Sequence, residues 1–136
     1  MKTVTGTFTV TGGHERTFHD AEGEPRLTRV GGTQMFAGGI VGEGAVEWVM
    51  CYSLDRSARF VGFQRITGFI DGRSGSLTME STGYYDGRSS VGSWRIIPGS
   101  GTGALVGIGG HGTFEAPGGP DVHYELEYEL NSKSAR

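Results

Sequence analysis

The chain has 136 residues, a formal net charge of −3 and 26 glycines against four prolines. This length suits one domain covering residues 1–136, since domains typically contain ~100–200 residues. The interspersed charges lack the basic face that nucleic-acid binding needs, and no stretch approaches the ~18 apolar residues of a membrane helix. A single cysteine and an N-terminus without an apolar run favour the cytoplasm.

Apolar and polar residues alternate along most of the chain, a pattern that predicts β-strands. Turn signals separate the alternating segments, and the Asp-Gly pairs at 71–72 and 86–87 supply the positive φ angles of tight hairpins. In chain order, the predicted strands are 3–11, 27–37, 40–52, 58–70, 74–85, 89–97, 109–116 and 122–130.

Three segments are predicted to lie outside the strands. Residues Gly12–Arg26 predict a long connection of the kind that often covers a site. The glycine-rich run Pro98–Gly107 predicts a turn, with one helical turn at Thr102–Val106. The polar tail Asn131–Arg136 is predicted to fray.

These elements predict an all-β fold: a single eight-stranded antiparallel up-and-down barrel. The central segments contain about 12 residues each and are joined by tight turns, which is typical of a meander. Strands this long twist and curl, and closure into a barrel removes the exposed sheet edges.

Four segments carry a family resemblance: Phe60–Gly68 (FVGFQRITG), Gly72–Ser76 (GRSGS), Pro98–Gly107 (PGSGTGALVG) and Tyr124–Tyr128 (YELEY). In this order they resemble a bacterial domain-of-unknown-function family of small barrels whose fold is similar to plant allene oxide cyclase. The resemblance spans nearly the whole chain and implies an eight-stranded barrel with a central cavity. Members commonly carry Glu at the position of Gln64 and His at that of Ser81, so the resemblance implies that a titratable pair has become neutral here.

Sequence motifs for cofactor or metal chemistry are weak. The Gly99-x-Gly101 run lacks the strand–helix–strand context of a dinucleotide loop, and the four histidines lack metal-ligand spacing. Glu43, Glu47 and Glu80 are predicted on the outer face, because glutamate is rarely buried unpaired. We therefore expect no metal and no cofactor.

The abundant aromatic and methionine side chains predict a barrel interior that either packs as a core or lines an apolar pocket. The candidate catalytic residues are the polar groups Gln64, Ser81, Tyr52 and Tyr84. The candidate substrate-binding residues are Trp48, Met50, Phe60, Ile66, Met79, Trp94 and His111. Phe63 and Phe69 belong to the same aromatic set.

Three functions remain open at this stage. The first is a cofactor-independent cyclase or isomerase that folds a flexible, apolar small molecule, such as a polyketide- or lipid-derived natural-product intermediate, into a reactive shape. The second is a non-catalytic barrel that binds or sequesters an apolar small molecule. The third is a filled barrel that acts through its surface, as a homo-oligomeric scaffold. The expected partner is an apolar small molecule, with neither nucleic acid nor membrane involved.

Overall fold

A computed structural model describes residues 1–130, which form a closed antiparallel barrel with each strand hydrogen-bonded to the next and the last to the first. The strands are β1 (Lys2–His19), β2 (Arg26–Gly38), β3 (Ile40–Tyr52), β4 (Ala58–Ile70), β5 (Arg73–Tyr85), β6 (Ser90–Ile96), β7 (Ile108–Ala116) and β8 (Asp121–Leu130). The predicted eight-stranded up-and-down barrel is confirmed, and both ends of β2–β8 agree with prediction to within one residue. The tail expected to fray, Asn131–Arg136, lies outside the described residues.

The β4–β5 hairpin turns where the sequence predicts it. Asp71 and Gly72 have φ angles of 52° and 81°, as a two-residue turn with two positive φ values requires. At the β5–β6 turn, the Asp86 carboxylate accepts hydrogen bonds from the backbone N–H groups of Arg88 and Ser89, both at 2.8 Å. Local turn chemistry therefore fixes the register of these hairpins.

The prediction of a long loop at Gly12–Arg26 is wrong. β1 continues to His19 and pairs with β2 from Gly6 to His19, with register shifts at Val10/Gly12 and at Thr17/His19. Side chains on this part of β1 are exposed on both faces, so no apolar alternation marks the strand in the sequence. Beyond Thr9, β1 pairs only with β2, and the β1–β2 hairpin extends past the start of β8.

Glycines on the inner face make room for large side chains from the neighbouring strand. A Cβ added at one of these glycines would overlap the facing aromatic ring. The direct cross-strand pairs are Trp48 with Gly62, Phe60 with Gly83, Phe114 with Gly92 and Tyr124 with Gly6. An eight-stranded barrel is just wide enough for its side chains, so alternating large and absent side chains lets the aromatic rings fit.

One end of the barrel, here called the closed end, is filled with side chains. It carries the β2–β3 and β4–β5 turns and the β6–β7 connection, which includes a short 3₁₀ turn at Gly103–Leu105, as predicted. Leu105 is 1% exposed and packs in the core cluster that includes Ile40, Ile70, Leu77 and Ile96. This end of the interior is therefore solid core.

The β6–β7 connection also covers a strand edge. β6 pairs only with the second half of β5, from Met79 to Tyr85. Along the first half, Thr102 donates its backbone N–H to the Ser76 carbonyl at 2.9 Å, and the Ser76 N–H donates to the Thr102 Oγ1 at 3.0 Å. Polar backbone groups at the β5 edge are thereby satisfied without a neighbouring strand.

The opposite end, here called the open end, carries the connections 20–25, 53–57, 86–89 and 117–120. Inner-face residues near it are only partly buried, Trp48, Met50 and Val122 among them. Within residues 1–130, no helix is long and apolar enough to cross a membrane.

Candidate apolar cavity

A cavity of about 300 Å³ lies inside the barrel at the open end. Its walls come from seven of the eight strands and are almost entirely apolar or aromatic. The lining residues are Phe8, Val10, Trp48, Met50, Tyr52, Phe60, Tyr85, Ser90, Phe114, Ala116 and Val122. The volume is at the lower end of the ~300–1,000 Å³ range of small-molecule sites, which are mostly apolar with few polar groups.

A polar cluster stands at the rim of this cavity. The Tyr52 hydroxyl and the Thr28 hydroxyl both donate to Glu15 Oε2, at 2.7 Å and 2.6 Å. The Arg26 guanidinium lies 4.4 Å from the centre of the Tyr52 ring and donates to the Thr17 hydroxyl at 3.2 Å. Three strands thus hold the Tyr52 phenol in one orientation.

The environment of Tyr52 keeps its phenol protonated. Burial, followed by the hydrogen bond and the negative charge of Glu15, raises the pKa of Tyr52 to about 12. The hydroxyl is therefore a hydrogen-bond donor across the physiological pH range, and its oxygen can still accept a bond from a ligand donor.

The interior polar side chains form hydrogen bonds with one another. The Trp48 indole N–H donates to the Ser81 hydroxyl at 2.6 Å, and Ser81 has no exposed surface. Deeper in the barrel, the Trp94 indole N–H donates to Gln64 Oε1 at 2.7 Å. The Gln64 amide in turn donates to Gln34 Oε1 at 2.9 Å.

The structure brings most of the predicted site residues together in the interior. Among the candidates, Trp48, Met50, Tyr52 and Phe60 line the cavity. The others that face inward are fully buried beneath it, namely Gln64, Ser81, Ile66, Met79 and Trp94.

Two predicted site residues lie elsewhere. Tyr84 is on the outer face of β5, where its ring lies beneath the Arg59 guanidinium, 5.7 Å away. His111 is on the outer face of β7, with its Nε2 atom 3.1 Å from Glu127 Oε2. Both orientations follow from strand alternation, because the neighbouring residue of each, Tyr85 or Gly112, occupies an inner-face position.

Phe63 and Phe69 also point outward, and they are 53% and 49% exposed. The aromatic set of the sequence is therefore divided between the two faces of the sheet. As predicted, Glu43, Glu47 and Glu80 are exposed.

Sequence reasoning missed Glu15, Tyr85 and Gln34. Glu15 lies in the segment predicted as a loop, and Tyr85 is adjacent to the predicted catalytic candidate Tyr84. Counting inward positions along β5 from Met79 and Ser81 would have selected Tyr85. Gln34 becomes a partner of Gln64 only when residues 30 positions apart meet in the barrel.

Several larger grooves lie outside the barrel interior, and the linings of two of them differ from that of the cavity. One of about 590 Å³ is formed on the outer face by residues that include Phe18, Val49, Val61 and Phe63. The other, about 870 Å³, is bounded by the charged loops of the open end. The inner cavity differs from both because its apolar lining residues come from seven of the eight strands and face the barrel interior.

Side chains of residues 1–130 form no group of three or more His, Cys, Asp or Glu placed to hold a metal ion. His19 lies beside Glu24, at 3.1 Å, and His111 beside Glu127, so two of the histidines form separate pairs with single carboxylates.

The fold and the cavity define a small β-barrel with an apolar interior cavity. The chain belongs to the DUF3224 family, described as proteins of unknown function, whose family model matches residues 4–128. A crystal structure of a DUF3224 protein of unknown function from Shewanella oneidensis MR-1 has the same fold, with a TM-score of 0.77 and 21% identity over 96% of this chain and 98% of that chain. No curated protein matches the sequence.

Proposed function

We propose that this barrel binds a small, flexible and largely apolar molecule in the cavity at its open end. The observation that carries the proposal is the cavity itself, about 300 Å³ of space that opens to solvent at the open end and is lined mainly by aromatic and aliphatic side chains. Transfer of apolar surface from water into such a site is favourable by roughly 25 cal/mol per Å².

Asymmetry between the barrel ends supports this proposal. The closed end is packed by Leu105 and its neighbours, whereas large side chains at the open end, such as Trp48 and Met50, remain partly exposed. Partly exposed aromatic and sulfur-containing side chains form adaptable contact surfaces for apolar ligands.

Cofactor-independent cyclisation or isomerisation of the bound molecule is the second candidate. The paired Tyr52 hydroxyl and Glu15 carboxylate favour it, because they place a donor and a carboxylate together beside an apolar cavity. A rigid wall could hold a flexible substrate near its reactive shape, which accelerates unimolecular reactions. The family resemblance in the sequence implies a fold similar to that of allene oxide cyclase, and such a fold would be in line with this chemistry.

Binding can be tested with N-phenyl-1-naphthylamine, an apolar dye whose fluorescence rises on leaving water. We expect saturable binding to the wild-type protein. The variant Ala116→Phe, which places a ring inside the cavity, should weaken binding at least about tenfold, a loss of ~1.4 kcal/mol. Thr113→Phe adds the same ring to the outer face of the same strand and should bind as the wild type does.

Retained dye binding in Ala116→Phe would place the dye outside the cavity and contradict the proposal, as would a wild-type protein that binds no dye. Mass spectrometry distinguishes the two candidate functions. Small molecules that co-purify with the protein are identified, and each is then incubated with fresh protein and analysed again. A binder returns the molecule unchanged, whereas a cyclase or isomerase returns a product of equal mass and different retention time.

A further inference from the structure

The buried side chains Trp94, Gln64 and Gln34 form a chain of hydrogen bonds across the barrel interior. Trp94 Nε1 lies 2.7 Å from Gln64 Oε1, and Gln64 Nε2 lies 2.9 Å from Gln34 Oε1. Trp94 is 2% exposed, and the two glutamines have no exposed surface.

The chemistry of the indole fixes the direction of this chain. An indole N–H can only donate, so the Gln64 carbonyl must face Trp94 and its amide must face Gln34. The Gln34 carbonyl then accepts, which leaves the Gln34 amide at the end of the chain. Among residues 1–130, Gln34 Nε2 has no hydrogen-bond partner. Buried donors are rarely left unpaired, so this one calls for an explanation.

Gln34 adjoins the wall of the cavity, although it does not itself line the cavity. Its cross-strand partner on β1 is Val10, and both Val10 and Phe8 line the cavity. The Trp94 ring packs 5.9 Å from Phe8 and 5.4 Å from Phe114, between centroids. Gln34 is fully buried and outside the cavity lining, so a ligand reaches its amide only if these aromatic rings move.

The interior charge restricts what such a partner can be. The buried polar residues of the described chain are Thr28, Gln34, Ser57, Gln64, Ser76 and Ser81, and none of them is a cation. A carboxylate or phosphate in this place would be a buried charge without a counter-ion, which is very costly. A neutral oxygen acceptor meets the amide at no such cost.

We infer that the molecule bound in the cavity carries a neutral hydrogen-bond acceptor, a carbonyl, ether or epoxide oxygen, at its inner end, and that Gln34 Nε2 donates to it. The inference rests on the proposed function, since it names the ligand class of that cavity. It predicts selection against molecules with a charged inner end, and against hydrocarbons of the same shape.

Cyclooctanone and methylenecyclooctane provide a matched pair of probes, because they differ only in an exocyclic oxygen or CH₂ group. Each is titrated against bound N-phenyl-1-naphthylamine in the wild-type protein and in the variant Gln34→Met, which keeps the side-chain volume without the amide. We expect the affinity ratio of ketone to alkene to fall at least about tenfold in Gln34→Met. Thr113→Val, on the outer face, is the control and should keep the wild-type ratio.

A second measurement does not depend on the folding of the variant. The carbonyl stretch of cyclooctanone bound to wild-type protein should lie below its frequency in hexane, and the Gln34 side-chain amide should show NOEs to the ketone. A hexane-like frequency, or no contact with Gln34, would overturn the inference.

The failure of the inference is distinguishable from the failure of the proposed function. Dye displacement by both probes with an unchanged ratio in Gln34→Met would retain the cavity as a binding site and overturn the role of Gln34. A ratio that falls in Tyr52→Phe instead would place the acceptor at the open end and also overturn it. A wild-type protein that binds neither dye nor probe would overturn the proposed function.

Discussion

Tyr52 is the residue at which the apolar cavity meets the polar rim. Its ring lines the cavity, while its hydroxyl donates to Glu15 at 2.7 Å, and Glu15 also accepts a hydrogen bond from Thr28. The Glu15 carboxylate, which accepts from both hydroxyl groups, fixes the orientation of the Tyr52 phenol, although Glu15 itself does not line the cavity. This arrangement joins β1, β2 and β3 at the open end.

The raised pKa of Tyr52 makes a pH prediction possible. Below pH 10, the ordinary phenol value, Tyr52 is protonated in both the folded and the unfolded chain, so its contribution to stability is complete. Between pH 10 and about 12 the unfolded chain loses this proton first, and the contribution is lost as pH rises. We expect tyrosinate absorbance to show a step near pH 12 that is absent in Tyr52→Phe.

Glu15→Gln provides the matched test of the cause. Removing the negative charge should lower the pKa of Tyr52, while burial still holds it above the ordinary value. A Tyr52 titration that is identical in wild type and Glu15→Gln would show that the Glu15 contact does not influence the phenol. Tyr124 and Tyr128 also have pKa values raised by burial, so the variants must be compared as differences.

The strands show which parts of the candidate site can be predicted from a single sequence. Alternation along β3 grouped Trp48, Met50 and Tyr52 on one face of the strand, and the structure places that face inside the barrel. The extension of β1 could not be predicted, since neither of its faces is buried. The hydrogen-bond partners of Gln34 and Glu15 lie on other strands, 13 to 37 residues away along the chain, and no local sequence pattern identifies them.

Inner glycines are as important to the strands as the aromatic residues they face. Gly92→Ala should lower the free energy of unfolding by about 1–3 kcal/mol, because its Cβ would overlap the Phe114 ring and overpack the interior. Gly109→Ala, on β7 where a Cβ meets nothing within 4 Å, should be neutral or slightly stabilising. Urea unfolding of both variants measures this difference, and equal effects would contradict the packing explanation.

The whole molecule is a barrel with one filled end and one hollow end. Turn signals and alternation were sufficient to predict its topology, because consecutive antiparallel strands pair with their neighbours. Which end is hollow could not be predicted, since it depends on how Leu105 folds back over the interior. The Pro98–Gly107 segment, one of the four that carry the family resemblance, is thus the part that closes this end of the barrel.

Leu105→Ala should lower the free energy of unfolding by about 2–5 kcal/mol, because it leaves a void among the buried residues of the closed end. The neighbouring Val106, 42% exposed, serves as the control, and Val106→Ala should change stability by less than about 0.5 kcal/mol. Dye affinity in folded Leu105→Ala should equal that of the wild type. A weakened affinity would show that the two ends are coupled.

A barrel filled at one end has a kinetic consequence. Any molecule in the cavity must leave by the route through which it arrived, because Leu105 and the β6–β7 connection obstruct the other end. Exchange is then strictly sequential: a second molecule cannot push the first out from behind. The dissociation rate of a bound molecule should therefore be independent of the concentration of its competitor.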